Sequence, residues 1–136
     1  MERYLHKVNY YETDRMGIVH HSNHIRWMEE ARIDLLEQIG LSFRWLEEQG
    51  VFSPVLSVEC EYKTPAAFGD RIAIAAEIEE YKGLRLTMRY TMTNAESGET
   101  VAKGRTSHCF VDASGKPIAL RKRFPDIDAK LREAAE

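Results

Sequence analysis

The chain has 136 residues, 43% of them hydrophobic and 30% charged, with a formal net charge of −3. That balance excludes a disordered chain, and acids interspersed with bases leave no electrostatic footprint for nucleic acid. No apolar run approaches the roughly 18 residues that span a bilayer, so no membrane insertion is expected.

This length predicts one domain, 1–136, large enough for a core but small enough that a deep pocket calls for a second subunit. Met1 to Tyr10 hold no basic segment followed by an apolar stretch, so no secretion leader is expected and a cytoplasmic location follows. Cys60 and Cys109 both sit in strand-like runs and read as reduced core or sheet thiols.

Tyr4 to Tyr11 combine β-formers with a loose alternation and predict a first strand. Tyr10 to Arg32 then gathers Asp14, Gly17, three of the five histidines and Asn23 at a turn-to-helix junction. Ser22 or Asn23 can cap a helix whose apolar residues Ile25, Met28, Ala31, Leu35 and Ile39 recur at three- and four-residue steps, with Gly40 as its stop. Trp27, Ile33 and Leu36 widen the apolar surface, so this helix is expected to be contacted on more than one side. Ser42 caps a short second helix through Phe43, Trp45 and Leu46, ended by Gly50.

From Ser53 the period changes to two, with Leu56, Val58, Cys60 and Tyr62 on one face, until Pro65 ends the run. A second run alternates Ile72, Ile74, Ala76 and Ile78, and Tyr81 to Leu84 forms a hairpin turn. A third sets Leu84, Leu86, Met88, Tyr90 and Met92 against charged residues and threonines, and Asn94 to Gly98 closes another hairpin. The fourth run, Thr100 to Val111, ends at the Asp112–Gly115 turn, and Pro125 starts a C-terminal helix from about Asp126. The expected order is a strand, a long helix, a short helix and a meander of four strands whose apolar face wraps the long helix.

Free N–H groups and the positive dipole end of a helix start attract developing negative charge, so an acid and a glycine just ahead of one suit acyl transfer. Asp14 also has a plainer reading as an Asx-turn or surface acid. His20, His21 and His24 beside it have the spacing of metal ligands, but no Cys or Glu completes a zinc signature, and no metal is expected. His21 is expected to shape the junction through hydrogen bonds, and His24 to line a pocket or pack in the core. Glu29 and Arg32 are spaced for an ion pair, and His108 reads as a sheet residue. The run Arg121-Lys122-Arg123 is either a solvated surface or a group that neutralises a phosphorylated ligand.

The stretch Tyr11-Glu12-Thr13-Asp14-Arg15-Met16-Gly17-Ile18-Val19 resembles the Asp-x-x-Gly-[Ile/Val]-Val segment of the hot-dog-fold acyl-CoA thioesterases of the 4-hydroxybenzoyl-CoA thioesterase type, including the branch associated with the bacterial Tol-Pal system. The likeness runs from about Val8 to Val111. His21, Asn23, Arg26, Glu29, Ala31 and Arg32, and later Tyr62, Pro65, Ala66, Gly69 and Asp70, fall where members carry the same types. His24 departs from the family's usual aromatic, commonly tyrosine, and Arg15 or Met16 stands where a small residue or proline is frequent. Both departures bear on pocket shape and substrate identity.

The resemblance implies an α+β hot-dog fold, a curved antiparallel sheet of about five strands around one central helix, and hydrolysis of acyl-CoA to a free acid and coenzyme A. Asp14 would be the base or nucleophile, and the peptide N–H groups near His21 and Ser22 would stabilise the oxyanion. Gly17 would allow close backbone approach, and Asn23 would orient water or Asp14. Glu29 is the second choice of base, since some hot-dog thioesterases use a carboxylate from the central helix.

His24 and Trp27, with Trp45, Phe52 or Met88, are candidates to line an apolar acyl tunnel, and Lys82, Arg105, Arg121 and Lys122 to meet the coenzyme A phosphates. The family is metal-independent, and coenzyme A enters only as part of the substrate. Open sheet edges add the expectation of a homodimer or a tetramer of dimers. The alternative is a non-catalytic protein that binds acyl thioesters or acyl carrier protein. Dehydration of hydroxyacyl thioesters usually goes with a His-Phe-Pro type loop, which this chain lacks.

Overall fold

Strands with one apolar face and a helix with an apolar stripe bury each other, and here one long helix lies across a five-stranded antiparallel sheet. The computed structural model describes residues 2–136; Met1, the first residue of the N-terminus expected to be leaderless, lies outside the described residues. The strands are β1 (Tyr4–Lys7), β2 (Val55–Tyr62), β3 (Arg71–Tyr81), β4 (Arg85–Asn94) and β5 (Thr100–Cys109). The helices are α1 (Ser22–Gln38), α2 (Phe43–Glu48), α3 (Leu120–Arg123) and α4 (Pro125–Ala135). This is the α+β architecture expected from the sequence.

The strand order β1-β3-β4-β5-β2 corrects the four-strand meander. Only β3, β4 and β5 follow one another. The segment between β2 and β3, Lys63 to Asp70, crosses the sheet and sends β3 to pair with β1, while β2 pairs with β5 at the far edge. The first strand is also shorter than expected, because a single 3-10 turn at Tyr10–Glu12 takes over where the alternation loosened. Short-range patterning sets each strand's faces but carries no information on which neighbour it pairs with.

The face under α1 is built from Ile72 and Ile74 of β3, Leu86, Met88, Tyr90 and Met92 of β4, and Ala102, Thr106 and His108 of β5, all buried. A bulge between Ile78 and Glu80 shifts the parity of β3, so that Tyr81, expected in a turn, is buried and donates its hydroxyl to Asp128 of α4 at 2.6 Å. On α1 the buried stripe is Trp27, Met28, Ala31, Leu35 and Leu36, whereas Ile25, expected on that stripe, is 41% exposed. Neither Ser22 nor Asn23 caps the helix. The cap residue is His21, with no side-chain cap bond.

Met28 of α1 packs directly onto Gly104 of β5. A Cβ there would run into the Met28 side chain and lie 3.1 Å from the Glu59 carbonyl oxygen. Gly104→Val should therefore force the helix off β5 and destabilise the fold by about 1–3 kcal/mol, read as a lowered urea midpoint. Gly50→Ala, also at a glycine but with open space around its Cβ, serves as a comparison that tests only positive-φ strain.

Candidate active site

The chain before α1 folds as a tight loop because Asp14 closes it three ways. Its N–H donates to the Ile18 carbonyl at 2.8 Å, its carbonyl accepts the Gly17 N–H at 3.0 Å, and its Oδ1 accepts the Met16 N–H at 2.8 Å. Gly17 holds φ at +79°, a value other residues adopt only under strain, so its role is the turn itself. The Asx-turn reading of Asp14 is thus part of the geometry, but it uses one carboxylate oxygen. Oδ2 has no hydrogen-bond partner among the described residues.

Asp14 lines a cavity of about 300 Å³ together with Ile18, Val19, His21, His24 and the β2-end residues Tyr62 to Ala66. The loop reaches those residues through the Val19 N–H, which donates to the Ala66 carbonyl at 2.8 Å. At the helix start the Tyr62 hydroxyl donates to the His21 carbonyl at 2.8 Å. Burial pushes the Tyr62 phenol up to about 12, so it remains a donor across the physiological range. The Ser22 N–H is turned to His20 Nδ1 at 3.2 Å, while the His21 N–H has no partner among the described residues. Of the two peptide N–H groups expected to hold an oxyanion, His21's is the one free to do so.

His24 is 4% exposed and stacks between Tyr62 (4.8 Å between ring centroids) and Trp27 (4.9 Å). Burial lowers its pKa and so favours the neutral ring, against a smaller opposing effect from the His21 backbone. It both lines the cavity and packs in the core. Trp27 is completely buried beneath it and is not among the cavity's lining residues. Asn23 also points away: its amide donates to the Glu12 carbonyl at 2.8 Å, tying the loop to the helix.

The other candidates lie elsewhere in the chain. Lys82 pairs with Glu80 in the β3–β4 hairpin, Arg105 pairs with Glu79 at 2.8 Å, and Arg121 and Lys122 lie on α3. None of them lines the cavity: the Lys82 hairpin lies at the opposite end of the sheet from Tyr62, while Arg105 faces Glu59 of β2 in the sheet. The cation at the cavity is Lys63, held 2.9 Å from Glu61. Sequence patterning set Lys63 on the solvent face of a strand, and only its place next to the resembling Tyr62 and Pro65 pointed to a site. Trp45 and Phe52 line shallower hollows of their own, and Met88 is buried under α1.

Glu29 is held by Arg32, which donates through Nη2 to both carboxylate oxygens at 2.8 and 3.0 Å. With both oxygens engaged by a buried guanidinium, Glu29 keeps neither free for an attacking water, which counts against it as a base in this chain. Arg32 continues to the Ser53 hydroxyl at 3.3 Å. Beside it, a buried chain runs from Tyr90 through Thr106 to His108 Nε2, at 2.8 and 2.7 Å. Among the described residues, no three His, Cys, Asp or Glu side chains are grouped to hold a metal ion.

Glu12, passed over in the sequence, is the most connected side chain of the site. It is 5% exposed, and its carboxylate accepts from the Asn9 N–H, Trp27 Nε1 and His6 Nε2, each at 2.8 Å. Burial opposes its ionisation, but these donors outweigh it and hold the carboxyl below its ordinary value. Its spacing from Asn9 is that of a capping box, the one local signal that could have singled it out.

The description of the thioesterase-like superfamily matches residues 8–135. YneP of Bacillus subtilis, which bears the provisional name of an acyl-CoA thioesterase, is 40% identical over 129 residues, covering 94% of this chain and 93% of its own. The acyl-CoA thioester hydrolase YbgC of Escherichia coli O6:H1 is 30% identical over 116 residues, covering 85% and 87%. Among solved structures, the DHNA-CoA thioesterase from Staphylococcus aureus superposes with a TM-score of 0.92 at 31% identity, covering 97% of this chain and 89% of that one.

Burial and the nearby Arg32 charge depress His108 from 6.5 to about 3, so the unfolded chain binds a proton there between those values and the folded chain does not. Stability should therefore fall as pH drops from about 6.5, with Glu12 adding its own loss only below about 4.5. His108→Gln should reduce the slope of unfolding free energy between pH 6.5 and 4.5 by up to about 1.4 kcal/mol per pH unit, measured by urea titration. An unchanged slope would assign the pH dependence to other groups.

Proposed function

The chain belongs to the thioesterase-like superfamily, and from that premise we propose that it is an acyl-CoA thioesterase, a single hot-dog domain that hydrolyses an acyl thioester to the free carboxylic acid and coenzyme A. The observation that carries this reading is the pairing, in one cavity, of a carboxylate with an unengaged oxygen, Asp14, and the His21 N–H at the start of α1. The thioester carbonyl would accept from the His21 N–H, whose pull is reinforced by the helix dipole as the oxygen gains charge. Asp14 would act through Oδ2, either taking a proton from the attacking water or attacking the carbonyl carbon itself.

The Asp14-x-x-Gly17-Ile18-Val19 segment supports placing it with enzymes of the 4-hydroxybenzoyl-CoA and Tol-Pal-associated type. No step in this chemistry calls for a metal or a bound cofactor. Lys63 is the residue of this chain best placed to meet a coenzyme A phosphate at the cavity mouth, and Lys82, Arg105 and Arg121 would reach one only from another subunit.

Thiol release from a panel of aryl- and alkyl-CoA substrates tests the reading directly. Asp14→Asn keeps the loop's shape and should lower kcat by about 100-fold or more. A folded variant that releases thiol at the full rate would remove Asp14 from the chemistry. Tight acyl-CoA binding without thiol release by the unmodified protein would instead favour a non-catalytic binding role.

Assembly is part of the same proposal. β2 is an edge strand, and its Leu56, Val58 and Tyr62 are 39–47% exposed, even though Tyr62 packs against His24 of α1. An open edge carrying apolar side chains is a pairing surface, and a second copy joined there would cover it beside the cavity formed by Tyr62. A homodimer, or a tetramer of such dimers, follows, located where acyl-CoA is made and used, in the cytoplasm. Val58→Lys should shift the sedimentation coefficient to that of a monomer and lower thiol release with it. A fully active monomer would contradict this arrangement.

A further inference from the structure

Asp14 and the helix start belong to different segments, and hydrolysis on the reading above needs their separation fixed. The loop and the start of α1 are tied by three hydrogen bonds. The His20 N–H donates to the Glu12 carbonyl at 2.9 Å, the Asn23 amide to the same carbonyl at 2.8 Å, and Trp27 Nε1 to Glu12 Oε2 at 2.8 Å. All three end on Glu12, two residues before Asp14.

The same carboxylate fixes the loop's other side. Oε1 accepts the Asn9 N–H and faces His6 Nε2 of β1, each at 2.8 Å. His6 is itself held by the Trp27 ring at 4.7 Å and by Glu30, whose Oε2 lies 3.5 Å from His6 Nδ1 and accepts the Tyr4 hydroxyl at 3.1 Å. Side-chain oxygens and carbonyl of one buried residue therefore set the loop's position against β1, the helix start and the second turn of α1.

We propose that Glu12 is a positioning residue for hydrolysis, holding Asp14 in register with the His21 N–H through its bonds to Trp27, Asn23, His20 and Asn9. The proposal rests on Asp14 being the hydrolytic carboxylate. Glu12 touches no substrate: it is buried outside the cavity wall and acts through the loop. Only a carboxylate meets the geometry, because donors approach both of its oxygens. A glutamine would set its own N–H₂ against either Trp27 Nε1–H or the Asn9 N–H, and the loop would have to move to relieve that opposition.

The test is a cycle of Glu12→Gln and Asp14→Asn, with thiol release followed at a temperature where near-ultraviolet circular dichroism shows each variant folded. Glu12→Gln should lower kcat by about tenfold or more, with KM within about twofold. In the Asp14→Asn background the same change should slow the residual reaction by less than about twofold, because the group it positions is already gone. Equal slowing in both backgrounds, or a rise in KM alone, would make Glu12 a purely structural carboxylate and overturn the proposal.

Should Glu12→Gln fail to fold, Trp27→Phe takes its place, since it removes one donor and keeps the ring; the same pattern is expected at about threefold, and the same equal slowing would overturn it. If the unmodified protein releases no thiol, the hydrolytic reading fails and Glu12's role falls with it. If it does and Asp14→Asn slows release to a measurable residual rate, the cycle alone decides on Glu12.

Discussion

A carboxylate removed from water is stable only when donors replace the solvent it has lost, and Glu12 draws its donors from three separate parts of the chain. Asn9 comes from the turn after β1, His6 from β1 itself, and Trp27 from the second turn of α1. Satisfying one side chain therefore requires β1 to lie beside α1 and the intervening loop to fold back between them. Stability and site geometry are set by the same contacts. The loop bearing Asp14 is fixed where it is because the alternative is an ionised group buried without partners.

The periodicity of the long helix and of β3, β4 and β5 was legible because each buries one face against the other, and burial writes itself into the sequence at 3.6 and 2 residues. Strand order was not legible. β2 pairs with β5 across all of the intervening chain from Lys63 to Glu99, and nothing in the alternation of Leu56, Val58 and Cys60 distinguishes β3 from β5 as its neighbour. The parity shift of β3 was hidden for a related reason, since the bulge at Ile78–Glu80 shows only in the pairing with β4 and turns Tyr81 to Asp128 of α4, a contact made only in the folded chain.

At the site, Asp14, Gly17, His21 and His24 could be read because the local turn and the helix start bring them together within a dozen residues. Trp27 and Asn23 were read as site residues on the same spacing, and the fold turns both toward Glu12 instead. The cations Lys82, Arg105 and Arg121 were chosen by charge and by their place at strand ends or in the C-terminal basic run, and neither says which end of the sheet a residue reaches. Arg32 shows the limit from the other side: a guanidinium at an i, i+3 spacing from Glu29 suggests a surface pair, yet it is 2% exposed and continues to Ser53.

The two carboxylates that compete for the role of base are separated by what neutralises them. Glu29 has both oxygens on a guanidinium, so gaining a proton would break two charge-assisted hydrogen bonds. Asp14 gives one oxygen to a neutral backbone N–H and keeps the other unengaged at the cavity, beside a histidine whose burial favours its neutral form. Ile18, Val19, His24 and Tyr62 give the cavity beside Asp14 an apolar and aromatic wall, and the dipole of α1 places positive potential at its His21 side. On the proposed reading, proton acceptance and oxyanion stabilisation would need opposite local fields, and the loop between Asp14 and His21 would hold the two apart.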